Sequence, residues 1–154
     1  MARRRDPHTK DLFSWEPEPI GIAYADEIRG RGDLDSQISR VVAQALRDAK
    51  DGDIARPEVA SRMAQWLGRK VTDDQLDKWA SESTGDRRIP LDAFLALVHA
   101  TGCRELLGFA AGLFGMSVVP DKYVDILELH QLEEHKREVE IRAAALQAKI
   151  RRPS

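Results

Sequence analysis

Apolar residues recur at three- and four-residue spacing along most of this chain, and each run is set off by glycine, proline or a polar cluster. Ile38, Val41, Val42, Ala45 and Leu46 form one stripe and predict a helix over 34–50. Val59, Met63, Trp66 and Leu67 form a second stripe, with Ala60 and Ala64 small enough for a neighbouring helix to approach. Leu76 and Trp79, with Ala80, face inward on a third helix running from Thr72 to Ser83. Leu91, Phe94, Leu95 and Val98 mark a fourth helix that stops at Gly102. A fifth, over 104–114, is apolar nearly all round through Leu106, Leu107, Phe109, Ala110, Leu113 and Phe114, which predicts burial or a subunit contact. Its Gly108 and Gly112 weaken it as a lone helix but permit a tight crossing.

The ends of these segments carry matching signals. Asp33, Asp35 and Ser36 suit the start of the first helix, and Arg47 and Lys50 suit its negative end. Pro57 is preorganised for a first helical turn, and Gly68 for a left-handed cap. Thr72 and Gln75 have the spacing of a capping box, followed by Asp73 and Asp74 at the positive end of the helix dipole.

Two flanks differ from this centre. Residues 1–32 read as an extended arm, with prolines at 17 and 19, a glycine-rich hinge at Arg29–Gly32, and Phe13, Trp15, Ile20 and Tyr24 as apolar islands that dock such arms. Residues 117–154 hold one long helix, from Asp121 to about Ile150. On it Leu129, Leu132, Lys136, Val139, Ala143, Leu146 and Ile150 make a heptad seam with one polar interruption. Leu129, Leu132, Val139, Ala143, Leu146 and Ile150 are therefore the candidate oligomerisation residues; the competing reading folds this helix back onto residues 33–116.

Charge alters the picture in one respect. The 154 residues carry 24 Lys and Arg against 26 Asp and Glu, a formal net charge of −2, so any nucleic-acid affinity must come from a local patch. The single cysteine, Cys103, excludes an internal disulfide and fits a reducing compartment. No apolar run approaches a membrane span, and no apolar region follows the basic start, so the expected location is the cytoplasm.

Catalytic chemistry has little to stand on. His8, His99, His130 and His135 are scattered, without a HExxH or a cysteine pair, so neither a metal site nor a cofactor is expected. The chain lacks a phosphate loop, a dinucleotide fingerprint and a nucleophile elbow. Cys103 has no base beside it and reads as a structural thiol.

Binding of double-stranded DNA has more support. The outward side of the third helix carries Gln75, Lys78, Ser81 and Glu82, types that reach base edges in the major groove. Arg69 and Lys70 before that helix, and Arg87 and Arg88 after it, are placed to hold phosphates. Arg3, Arg4, Arg5 and Lys10 of the arm are further cations for a groove or backbone. Against this, the stretch 69–88 holds as many acidic as basic residues, which predicts modest affinity helped by oligomerisation.

The stretch from Val59 through Gly68, then Val71 to Trp79, then Arg88-Ile89-Pro90-Leu91 to Gly102, resembles phage-type helix-turn-helix regulators of the repressor and CII-like kind. Ala64, Gly68 and Leu76 take the parts of the small residue, the turn glycine and the buried aliphatic. The spacing from Gly68 to Leu76 is about two residues longer than in the tightest form of the motif. The resemblance covers about residues 34–115 and implies a homo-oligomer with a transcriptional role. The expectation is an all-α protein: a five-helix bundle containing a helix-turn-helix, an N-terminal arm and a long C-terminal helix. The alternative is a non-catalytic scaffold of a phage replication or transposition assembly, holding a protein partner through the C-terminal helix.

Overall fold

The computed structural model describes residues 20–83 and 88–151. They form α1 (Asp26–Arg29), α2 (Leu34–Asp51), α3 (Arg56–Leu67), α4 (Asp73–Trp79), α5 (Leu91–Thr101), α6 (Glu105–Gly112), a 3-10 turn (Asp121–Tyr123) and α7 (Val124–Ile150). The described residues are thus mostly helical and contain no strand beyond one isolated bridge.

Helix ends follow the local chemistry. Asp33 caps α2 by accepting from the Ser36 N–H at 2.7 Å, and that bond holds its carboxyl below the usual carboxylate range. Pro57 lies in the first turn of α3, and Gly68 ends it at φ 67°, a left-handed backbone that a Cβ would strain. Thr72 and Gln75 close a full capping box at α4. α4 itself stops at Trp79, well short of the expected Ser83, after which the backbone turns at Ala80 and Ser81. The polar run beyond Ala80 offers no apolar position to hold another helical turn against the core.

The core runs through all the helices from α2 to α6. Val41, Val42, Ala45, Leu46 and Ala49 of α2 meet Val59 and Met63 of α3, Leu76 and Trp79 of α4, Leu97 of α5, and Leu106 of α6. Val71, in the α3–α4 turn, is buried with them. α5 packs most extensively against α3, and its inner face is Ala93, Ala96, Leu97 and Ala100 with Phe94. The expected stripe of Leu91 and Leu95 is therefore corrected: these are 75% and 42% exposed. Small alanines let the two helix axes come close, and the larger leucines are turned outward. Trp66, expected in the buried stripe of α3, is 51% exposed and stacks on His99 with ring centroids 5.3 Å apart. On α6 only Leu106, Gly108 and Phe109 are buried, and Leu113 and Phe114 beyond its end face outward, so of the two expectations, burial or a subunit contact, full burial within the chain does not hold.

The arm differs from expectation from residue 20 onward; residues 1–19, with Phe13, Trp15 and the cations at 3, 4, 5 and 10, lie outside the described residues. Asp26–Arg29 form a helical turn rather than extended chain. The Arg29–Gly32 segment is tied down by Arg40 of α2, whose guanidinium donates to the carbonyls of Arg29 and Arg31. Ile22 pairs with Val118 in an antiparallel bridge, its N–H reaching the Val118 carbonyl at 3.0 Å. There the arm crosses α6 at Gly108, where a Cβ would overlap the Ile22 carbonyl. The tight crossing that Gly108 permits is thus with the arm, not with a helix. Tyr24 then donates to Asp48 at 3.0 Å, and Cys103 lies buried beneath, its thiol near the Ala45 carbonyl.

α7 stands apart from this head. Its 27 residues include none that is buried, and its main contacts are with the 3-10 turn that precedes it. In this structure no residue of α7 is buried against residues 33–116.

Candidate nucleic-acid interface

α3 and α4 are consecutive helices joined by the five residues 68–72. The left-handed Gly68 reverses the chain, Val71 plugs into the core, and the capping box starts α4 at a fixed place. Leu76 and Trp79 then pin the inner side of α4 beneath α2 and α3. The opposite side faces outward through Asp73, Asp74 and Asp77, with Gln75 and Lys78 half-buried.

Each predicted base contact has a place and an existing engagement. The Gln75 amide oxygen turns back to accept from the Thr72 N–H at 3.0 Å, so this side chain serves the cap rather than the outward face. Lys78 is paired with Asp74 one turn earlier. Ser81 lies past the end of α4, its hydroxyl 2.8 Å from that of Ser83. Glu82 holds Arg40 at 2.8 Å and so links this corner to α2. Gln75 and Lys78 share the helix; Ser81 and Glu82 belong to the following turn.

The predicted phosphate contacts flank these positions. Arg69 donates to Asp92 of α5 at 2.9 Å, and the guanidinium holds that carboxyl below the usual carboxylate range. Lys70 is exposed on the turn, with no ion-pair partner among the described residues. Arg88 reaches Asp35 of α2 at 2.6 Å, and Arg87 lies outside the described residues. Asp77, on the outer side of α4, is paired with Arg56 at the start of α3.

The corner around α4 is therefore a lattice of exposed ion pairs with a net charge near neutral. Exposed pairs of this kind are individually weak and contribute little to stability.

Arg40 is the residue that sequence periodicity misses. It lies on the polar side of α2, yet it joins the arm to the turn after α4 by holding Arg29, Arg31 and Glu82 together. Only a long-range pairing identifies it, and spacing along one helix carries no such signal.

The six seam residues Leu129, Leu132, Val139, Ala143, Leu146 and Ile150 are all exposed on α7. Among the described residues no set of three His, Cys, Asp or Glu side chains is placed to hold a metal ion, and no helix is long and apolar enough to cross a membrane. Comparison with protein families, with characterised proteins and with solved structures finds no match.

Proposed function

We propose that this chain is a sequence-specific DNA-binding transcriptional regulator of the phage helix-turn-helix kind, acting in the cytoplasm as a dimer or higher oligomer. The observation that carries the reading is the α3–α4 pair: a left-handed glycine turn, a capped second helix pinned by Leu76 and Trp79, and Arg69 and Lys70 exposed at its entrance. In this reading α4 enters the major groove, Lys78 and Ser81 approach base edges, Gln75 and Glu82 join them on leaving the Thr72 N–H and Arg40, and Arg69, Lys70, Arg87 and Arg88 hold phosphates. The action is docking, with no bond made or broken. Two heads joined through α7 offset the modest affinity of either one.

The test is binding to random and to genomic DNA fragments at two salt concentrations, with the mass in solution recorded alongside. Salt-sensitive selection of a two-fold site by an oligomer is the expected result. Replacing Arg87 and Arg88 together by alanine should weaken binding evenly across sequences and make the salt slope shallower by about two. An unchanged slope removes both residues from the contact set.

A second reading, a scaffold of a phage replication or transposition assembly with no DNA contact, is favoured by a specific observation. Three of the cations around α4 are already matched to carboxylates of the head: Arg69 with Asp92, Lys78 with Asp74, Arg88 with Asp35. A folded oligomer that leaves DNA untouched at low salt would select this reading.

A further inference from the structure

α7 is about 40 Å long and leaves uncovered an apolar seam whose one polar position is Lys136. Its charges are unevenly divided. From Val124 to His135 there are four carboxylates, Asp125, Glu128, Glu133 and Glu134, and no lysine or arginine. From Lys136 to Arg151 there are five cations, Lys136, Arg137, Arg142, Lys149 and Arg151, against Glu138 and Glu140. Intrahelical pairing takes up little of this: Lys136 reaches Glu140 at 3.8 Å and Arg137 reaches Glu134 at 3.7 Å.

We propose that the seam is covered by α7 of a second copy of this chain running in the opposite direction. This rests on the oligomeric part of the function proposed above and adds the partner's orientation. Two parallel helices in register would set acidic half beside acidic half and basic half beside basic half. They would also place Lys136 against the partner's Lys136 inside the apolar seam, where like charges are desolvated together. Reversing one helix removes both conflicts. With full overlap, Leu129 meets the partner's Leu146, Leu132 meets the partner's Ala143, and Lys136 meets the partner's Val139. Lys136 then lies close to the partner's Glu140, and Glu128 at the flank faces the partner's Lys149. The two Lys136 side chains are no longer opposed in the seam, and each acidic half lies along a basic one.

Energy transfer between labelled copies of the full chain tests the orientation. Gln131 and Gln147 are exposed and off the seam, and buried Cys103 is replaced first by serine so that each variant holds one thiol. Gln131→Cys carries the donor and Gln147→Cys the acceptor in one mixture; in the other, Gln147→Cys carries both. In the opposed pair positions 131 and 147 lie about 5 Å apart along the axis, and the two 147 positions about 28 Å apart. The expected result is transfer severalfold higher in the 131/147 mixture, with a two-chain mass in solution. Higher transfer in the 147/147 mixture would overturn the orientation while keeping the seam. A multi-chain mass with no transfer in either mixture would overturn the seam itself, and a single-chain mass would overturn self-association. DNA binding is scored separately, so its failure leaves each of these outcomes readable. If the serine background unfolds, the same labels are placed with Cys103 retained, its thiol being buried.

Discussion

Tyr24 shows how one side chain fixes a segment that composition alone would leave loose. Burial pushes its phenol above the ordinary tyrosine range, and the Cys103 thiol and the Asp48 carboxylate beside it push in the same direction. Burial also raises the Cys103 thiol. Both groups are neutral when protonated, so the folded state holds their protons more tightly than the unfolded chain does. Their contribution is fully present below the unfolded values, roughly pH 8.5 for Cys and 10 for Tyr, and is lost as pH rises beyond them. Chemical denaturation between pH 7 and 11 should therefore give a falling stability. Tyr24→Phe should flatten that fall above about pH 10, while lowering neutral-pH stability by about 1–3 kcal/mol through the lost bond to Asp48. An alkaline limb identical in both proteins would mean that Tyr24 does not keep its proton in the folded state.

At the scale of elements, the sharpest test is the crossing of the arm over α6. Gly→Ala inside a helix ordinarily stabilises by about 0.5–1 kcal/mol. At Gly108 the added Cβ meets the Ile22 backbone, which has no flexible side chain to yield. Gly108→Ala should therefore destabilise by about 1–3 kcal/mol, or release the arm to proteolysis near residue 22 with the remaining head intact. A more stable protein with a protected arm would disprove the crossing.

Gly108 also shows what was legible in advance: its need for space was readable, its neighbour was not. Helix positions followed from caps and periodicity because those signals are local: Asp33, Pro57, Gly68, Thr72 with Gln75, and Gly102 each act within a turn of themselves. Which face of a helix turns inward depends on its neighbours. The Ala93, Ala96 and Ala100 face of α5 prevailed over the Leu91 and Leu95 face because α3 comes close, and Trp66 was left at the rim. The candidate DNA contacts were legible as residue types, but not in their engagements. Gln75 is drawn back into its own cap, and Arg88 is held by Asp35, 53 positions earlier. The length of α4 was overestimated because the polar residues after Ala80 continue a helical composition without an apolar anchor.

The whole molecule is a folded head with a helical rod. No residue of α7 is buried, so cutting the chain after residue 123 should leave the thermal midpoint of the head within a few degrees of its value, while the mass in solution falls to that of one chain. Loss of the folded head on this truncation would show that α7 supports it. In the opposed pair the two heads sit at opposite ends of a rod about 40 Å long, slightly more than one turn of DNA.

The bridge between Ile22 and Val118 has a further consequence, for the order in which the head is made. The chain is synthesised from its N-terminus, at about 5–20 residues per second. α2 to α5 can gather around the core as they emerge, but the seat of the arm consists of α6 and the strand-like segment at 118. Residues 20–25 must therefore wait for the last part of the head, several seconds behind them. Until then the α6-facing side of the young domain stays open, and the arm closes it last.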